Sequence, residues 1–99
     1  MSKIRRVAII GGNRIPFMRS NTAYSYASNM DMLSATLQGL VRRFDLEGER
    51  LGEVAAGAVM KHSRDFNLAR EATLNSGLAL ETPAYDIQQA CGTGLEAAI

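Results

Sequence analysis

Short segments rich in apolar residues predict three strands, the first of them an unbroken apolar run. Val7 to Ile10 is four consecutive apolar residues, and the run ends at Gly11-Gly12. An uninterrupted apolar run of this length is typical of a strand covered on both faces, as in a parallel sheet. Val54 to Met60 and Ala84 to Gln88 are predicted as the second and third strands. Small residues in the middle of the second strand are expected to let another backbone approach closely.

A helical repeat between the first two runs predicts helix one. Its apolar residues lie on one face of a 3.6-residue period. They are Leu33, Leu37, Leu40, Val41 and Phe44. Ser28 or Asn29 can cap the start of this helix, and Ser34 is expected on its polar side.

Two further helices are predicted after the second and third strands. Helix two is expected from about Asn67 to Leu78, with a face lined partly by alanine that would pack tightly against a neighbour. Helix three opens after Cys91 and includes Leu95 to Ile99. Thr93 and Glu96 have the spacing of a capping box, which would fix where helix three begins.

The predicted order is therefore strand, helix, strand, helix, strand and the start of a helix. Regular alternation of this kind favours βαβ crossovers, so the fold class is predicted to be α/β with a mostly parallel sheet. Residues 1–99 contain no repeat, linker or low-complexity tract, and we expect one structural unit. We expect this unit to be incomplete, because a missing helix would leave apolar strand faces in water.

Composition and charge narrow the class of protein. Apolar residues make up 46% of the 99 residues and charged residues 21%, as in an ordinary globular domain. The formal net charge of +1 gives no reason to expect nucleic acid or an anionic membrane as a partner. The apolar run that follows the basic start is too short for a signal peptide or a membrane span. With one cysteine and hence no intrachain disulfide, a soluble cytoplasmic protein is expected.

The single cysteine stands at a position that favours chemistry. Cys91 follows the third predicted strand and precedes Gly92-Thr93-Gly94 and helix three. Free N–H groups and the positive end of a helix dipole at such a turn favour the nucleophilic thiolate. The two glycines would leave room for a substrate carbonyl, and the Cys91 N–H could hold a developing oxyanion. A buried structural thiol is the competing interpretation, because free cysteines are often buried.

The other candidate groups are interpreted as parts of the fold and not as functional sites. His62 lies in a polar segment without a second histidine or a cysteine pair, so no metal site is expected. Gly11-Gly12 lacks the G-x-G-x-x-G spacing of a dinucleotide site and is interpreted as a turn. Arg14 and Arg70 are expected to donate to carbonyl or carboxylate groups within the fold.

Four segments, taken in order, resemble the thiolase family. Asp86 to Ala98, which contains Cys91, is similar to the family's nucleophile segment. The other three are Arg14 to Phe17, similar to its Arg-Thr-Pro-Phe turn, Gly52 to Val59, similar to its second strand, and Asn67 to Leu78, similar to its Asn-Pro-Ala-Arg helix. Gln88-Gln89 stands where many members carry Asn-Arg, and Leu68 where many carry Pro. These departures favour a divergent subgroup near the thiolase subunits of fatty-acid β-oxidation complexes.

The resemblance implies an acyl-CoA C-acyltransferase (thiolase). Cys91 would be the nucleophile that carries the acyl group as a thioester, and the group would then pass to CoA or to an acetyl-CoA carbanion. Acyl-CoA and CoA are the implied substrates, with no cofactor beyond them, and a homo-oligomer associating through this lobe is implied. An activating histidine, a second cysteine and an oxyanion asparagine belong to the family's later half. Residues 1–99 are therefore expected to be an incomplete N-terminal lobe without turnover.

Two alternatives stay open at the level of sequence. A ketoacyl synthase-like condensing enzyme also places a cysteine at a strand-to-helix turn, although Arg14-Ile15-Pro16 favours a thiolase. A non-catalytic scaffold or pairing module of the thiolase fold would use unfilled sheet edges to bind a partner. The reactivity of the Cys91 thiol would distinguish an activated nucleophile from an inert scaffold.

Overall fold

The computed structural model describes residues 3–99, and within them the regular elements begin at Asn29. The α-helices in this range are α1 (Asn29–Arg43), α2 (Leu68–Leu74) and α3 (Thr93–Ala98). The strands are β1 (Val54–Ala56) and β2 (Ala84–Asp86). One 3-10 turn, Ser63–Asp65, precedes α2, and another, Ala90–Gly92, precedes α3. The observed order is thus α1, β1, α2, β2, α3.

Helix α1 begins where its first turn can be capped in both directions. Ser28 Oγ accepts a hydrogen bond from the Asp31 N–H at 3.1 Å, and the Asp31 carboxylate accepts one from the Ser28 N–H at 2.9 Å. This reciprocal pair satisfies two donors that a helix start leaves open. The Ser28 N–H, followed by the Ser28 hydroxyl, lowers the pKa of Asp31. The predicted start of helix one is confirmed.

The core lies where α1 and α2 pack together and where α2 meets the two strands. Its apolar members are at most 5% exposed: Val41, Leu68, Ala69, Ala72 and Leu78. The alanines permit a close approach of the two helices, as predicted for the alanine-lined face. Ser34, predicted on the polar side of α1, is buried instead. The end of α2 covers it, and the Ser34 hydroxyl accepts a hydrogen bond from Asn75 Nδ2 at 3.4 Å.

The two strands form a parallel pair, which confirms the predicted α/β class. The register is Val54 opposite Ala84, Ala55 opposite Tyr85 and Ala56 opposite Asp86. A parallel pair requires a crossover connection, and α2 lies within it. Each strand is three residues long, shorter than predicted, because side chains replace the ladder beyond Ala56. Gln88 Nε2 donates to the Val59 carbonyl at 3.1 Å, and Asn29 Nδ2 donates to the Met60 carbonyl at 2.8 Å.

The prediction of a first strand at Val7 to Ile10 is wrong for this structure. The segment has no regular secondary structure, and the described sheet contains only β1 and β2. A strand requires a ladder partner for its backbone, and neither β1 nor β2 pairs with this segment. The chain that follows is tied to α1 instead: Asn13 Nδ2 donates to the Thr36 carbonyl at 2.9 Å, and Arg43 Nη1 donates to the Gly12 carbonyl at 2.6 Å.

Helix α2 is also shorter than the predicted range. Asn75 is its C-cap, and Gly77 has φ of +97°, in the region that favours glycine. After this turn the chain crosses to the loop that follows α1. The Gly48 N–H donates to the Gly77 carbonyl at 2.8 Å, and the Ala79 N–H donates to the Glu49 carbonyl at 2.9 Å. These long-range bonds replace further helical turns.

Candidate functional site

Asp86, at the end of β2, links the strand that leads to Cys91 to the start of α2. Its Oδ1 accepts a hydrogen bond from the Ala69 N–H at 2.7 Å, and its Oδ2 accepts one from the Leu68 N–H at 3.2 Å. Lys61 Nζ lies 2.6 Å from Oδ2 and forms a salt bridge with the Asp86 carboxylate. Asn67, the N-cap residue of α2, makes no side-chain cap bond. Asp86 therefore supplies the missing acceptor at the start of α2 from the neighbouring strand.

The pKa of Asp86 reflects this position. Burial raises the pKa of its carboxyl group. The hydrogen bond from Lys61, the N–H groups of Ala69 and Leu68, and the positive charge of Lys61 act in the opposite direction and prevail. The net result is a pKa below the ordinary value of 3.8, so the group is a carboxylate near neutral pH.

After β2, the backbone packs closely against Gly57, the residue that follows β1. The Ile87 N–H donates to the Ala56 carbonyl at 2.9 Å. A Cβ on Gly57 would stand 1.9 Å from the Ile87 carbonyl oxygen and 2.7 Å from Thr93 Cγ2. No side chain fits in that space, which confirms the close backbone approach predicted for the second strand. The contact sets the cysteine turn against the end of β1.

Cys91 lies in the middle of the 3-10 turn Ala90–Gly92. The Gly92 N–H donates to the Gln89 carbonyl at 2.8 Å. The Thr93 hydroxyl accepts a hydrogen bond from the Gln89 N–H and donates one to the Ala90 carbonyl, each at 2.8 Å. Ala90 between these groups has φ of +45°, a left-handed conformation that costs a residue with a Cβ about 1–2 kcal/mol. The turn therefore holds a strained residue directly before the cysteine.

The thiol itself is exposed. Within residues 3–99, the Cys91 N–H donates no hydrogen bond to a backbone carbonyl. A Cβ placed on Gly92 or Gly94 would meet no described atom within 4 Å. The arrangement thus combines an accessible sulfur, an adjacent N–H group and open space on the side of the two glycines.

Residues 7–99 match the family described as "Thiolase, N-terminal domain". The chain belongs to the thiolase family. Three similar proteins are named 3-ketoacyl-CoA thiolase. The one from Photorhabdus laumondii is 35% identical over 92 residues, which is 93% of this chain and 21% of that protein. Those from Vibrio cholerae and from Shewanella sp. (strain ANA-3) are each 32% identical, over 95% and 99% of this chain and 22% of each relative. This thiolase-family chain therefore spans about one fifth of the length of these relatives.

The start of α3 in this thiolase-family chain differs from the predicted capping box. Gly92 is the N-cap and has no side-chain cap bond, and Thr93 lies inside the helix. The Thr93 hydroxyl points back to Gln89 and Ala90 instead of capping α3, because the strained turn offers it a donor and an acceptor. The prediction of a Thr93–Glu96 capping box is wrong, and Cys91 lies one residue before the N-cap.

His62 is exposed in a loop, as predicted. Its Nδ1 accepts a hydrogen bond from the Arg64 N–H at 3.2 Å, and its own N–H donates to Asp65 Oδ2 at 3.1 Å. These bonds make His62 the cap of the 3-10 turn before α2. Among residues 3–99, no group of three or more His, Cys, Asp or Glu side chains could hold a metal ion.

The two arginines donate to carbonyl groups of the chain, as predicted. Arg70 donates to the Thr82 carbonyl at 2.7 Å and to the Leu80 carbonyl at 2.8 Å, which braces the chain before β2. Arg14 donates to the neighbouring Ile15 carbonyl at 3.1 Å, and its guanidinium lies 4.4 Å from the centre of the Phe17 ring. No helix in the part of the chain that the structure describes has the length and apolarity to cross a membrane.

Sequence reasoning missed two polar side chains that shape the site. Asp86 is an aspartate at the end of a predicted strand, and that position was the available signal for a cap on the helix beside it. Thr93 has a capping-box spacing that pointed to the wrong partner. Its actual role depends on the conformation of Ala90, which the sequence pattern does not reveal.

Proposed function

We propose that this chain is part of an acyl-CoA C-acyltransferase of the thiolase type, with Cys91 as the residue that carries the acyl group. The observation that carries the proposal is the exposed Cys91 thiol in the turn between β2 and α3 of a thiolase-family chain. The names of the relatives, all 3-ketoacyl-CoA thiolases, support the choice of CoA thioesters as substrates.

In the degradative direction, the Cys91 thiolate would attack the 3-keto carbon of a 3-ketoacyl-CoA. A carbon–sulfur bond forms, the bond between C2 and C3 breaks, and the departing acetyl-CoA carbanion takes up a proton. A second CoA then gives up its thiol proton, which balances the proton taken up by the carbanion, attacks the acyl thioester, takes the acyl group and releases the Cys91 thiolate. The Cys91 N–H and the open space beside Gly92 suit the oxyanion that forms at the attacked carbonyl.

Condensation is the same sequence in reverse, with acetyl-CoA as the acyl donor and an acetyl-CoA carbanion as the acceptor. We propose a homo-oligomer, a cytoplasmic location and a place in fatty-acid β-oxidation on the strength of the family alone. Residues 1–99 contain neither a second cysteine nor a histidine near Cys91 in sequence. We therefore expect the 99-residue chain by itself to show no turnover.

Alkylation of the thiol tests the proposed nucleophile. Cys91 is the only cysteine, so iodoacetamide labelling reports on it alone. The control is a peptide of residues 86–96, which has the same local sequence without the fold. Alkylation near neutral pH that is clearly faster in the folded chain supports an activated thiolate. A rate equal to or below that of the peptide contradicts the proposal and favours the scaffold alternative.

A turnover assay tests the proposed inactivity of the isolated chain. Purified residues 1–99 are incubated with acetoacetyl-CoA and CoA, beside a Cys91→Ala variant. We expect no difference between the two chains. Cleavage that depends on Cys91 would show that the missing groups are not needed.

A further inference from the structure

We propose that Thr93 is a positioning residue that holds the Cys91 turn in its conformation through its hydroxyl group. The importance of this role for catalysis rests on the proposed function. The role of the hydroxyl in the turn can be tested independently of that function. Thr93 is buried, with 6% of its surface exposed. It is the first residue of α3 and lies two positions after Cys91.

The Thr93 hydroxyl joins the N–H of the residue before Ala90 to the carbonyl of Ala90 itself. It accepts from the Gln89 N–H and donates to the Ala90 carbonyl, each at 2.8 Å. Ala90 between them has φ of +45°, which a residue with a Cβ disfavours. Strain of this kind persists only where surrounding contacts determine the conformation, and a single side chain supplies both of these contacts.

The methyl group of Thr93 orients the hydroxyl. Its Cγ2 lies 2.7 Å from the point where a Cβ on Gly57 would stand, so it occupies the space that the glycine leaves open at the end of β1. Because χ1 of a β-branched residue is stiff, seating the methyl group against β1 directs the hydroxyl towards the turn. The position of Cys91 is thereby tied to the sheet through one residue.

The two functions of the side chain can be separated by substitution. Thr93→Val keeps the branched shape and removes the hydroxyl, whereas Thr93→Ser keeps the hydroxyl and removes the methyl group. Ala90→Gly removes the Cβ that makes φ of +45° unfavourable, so it should restore the turn when the hydroxyl is lost. A residue that merely filled space would respond to the loss of volume and would not be rescued at Ala90.

The experiment measures amide hydrogen exchange at Gln89 and the NMR shifts of Ala90, Cys91 and Gly92 in the 99-residue chain. We expect Thr93→Val to raise exchange at Gln89 about tenfold and to shift the signals of the turn, as for the loss of one buried hydrogen bond. Thr93→Ser should retain protection within about threefold. Thr93→Val combined with Ala90→Gly should return the Cys91 and Gly92 shifts towards those of the unmodified chain.

Unchanged exchange and unchanged shifts in folded Thr93→Val would overturn the proposal. Should that variant not fold, Thr93→Val combined with Ala90→Gly decides: Gln89 exchange as slow as in the unmodified chain, although the hydroxyl is gone, also overturns it. Iodoacetamide rates of the same chains separate this inference from the proposed function. If the unmodified chain reacts no faster than the peptide while Thr93→Val still loosens the turn, the nucleophile proposal fails and the role of Thr93 stands.

Discussion

The carbonyl oxygen of Ile87 lies 1.9 Å from the position that a Cβ on Gly57 would occupy. Two backbones therefore pass each other without an intervening side chain where β1 ends and the chain leaves β2. The same gap receives the methyl group of Thr93. The absence of one side chain thus lets the parallel pair and the turn that carries Cys91 approach each other.

Gly57→Ala is expected to lower the free energy of unfolding by about 1–3 kcal/mol, as for other side chains forced into filled space. The opposing atom is a backbone carbonyl, which cannot rotate away as a flexible side chain could. Urea denaturation followed by circular dichroism measures the change. Gly52→Ala is the matched control, since a Cβ there meets no described atom within 4 Å. Equal stabilities of the two variants would contradict the crowding at Gly57.

Asp86→Asn is expected to lower the free energy of unfolding by about 1.5–3 kcal/mol at neutral pH, the range for hydrogen bonds to a charged group. The substitution keeps the size of the side chain but removes the charge that Lys61 and the N–H groups of Leu68 and Ala69 share. Denaturation at pH 7 measures the effect. Glu81→Gln, which changes an exposed carboxylate, serves as the control and should alter stability by less than about 0.5 kcal/mol.

The effect of Asp86→Asn should depend on pH in one direction. The folded state lowers the pKa of Asp86, so the carboxylate stabilises the fold at every pH above its value in the unfolded chain. That stabilisation is lost as pH falls below about 4 and through the lowered folded pKa. The difference in the free energy of unfolding between the unmodified chain and Asp86→Asn should therefore become smaller in acid. A difference that stays constant from neutral pH to pH 3 would argue against a role for the charge.

Ser28→Ala is expected to destabilise the chain by about 1 kcal/mol and to reduce helical circular dichroism, because it removes half of the capping pair that starts α1. Ser20→Ala provides a matched control, since Ser20 is an exposed serine in a turn before α1. If both substitutions have the same effect, the start of α1 does not depend on the Ser28 hydroxyl.

The elements that could be predicted from the sequence are those whose signals are local. The start of α1 at Ser28 follows from residues within one helix turn, and the capping residues reveal it, whereas of the predicted apolar face only Val41 is fully buried and Phe44 is exposed at the C-cap. The lack of a side chain at Gly57, in the predicted second strand, likewise indicated a close backbone contact, which the structure shows. Each of these signals is contained in a few neighbouring residues.

The features that the sequence pattern did not reveal depend on distant partners. Ser34 lies on the polar side of α1 by periodicity but is covered by the end of α2. Thr93 has the spacing of a helix cap, yet its hydroxyl bonds to the Gln89 N–H and the Ala90 carbonyl, where Ala90 has a left-handed conformation. Whether the run at residues 7–10 becomes a strand depends on a ladder partner elsewhere, which apolar patterning cannot identify.

Replacing a valine by lysine at two positions tests directly whether residues 7–10 are covered by the rest of the fold. Val7 is 86% exposed and Val41 is 3% exposed. Val7→Lys should change the free energy of unfolding by less than about 0.5 kcal/mol, because little apolar surface is buried there. Val41→Lys should cost several kcal/mol or prevent folding, because it places an unpaired charge in the core. Denaturation of both variants measures the contrast. A loss of more than about 1 kcal/mol for Val7→Lys would mean that residues 7–10 are covered in solution, as a strand at these residues requires.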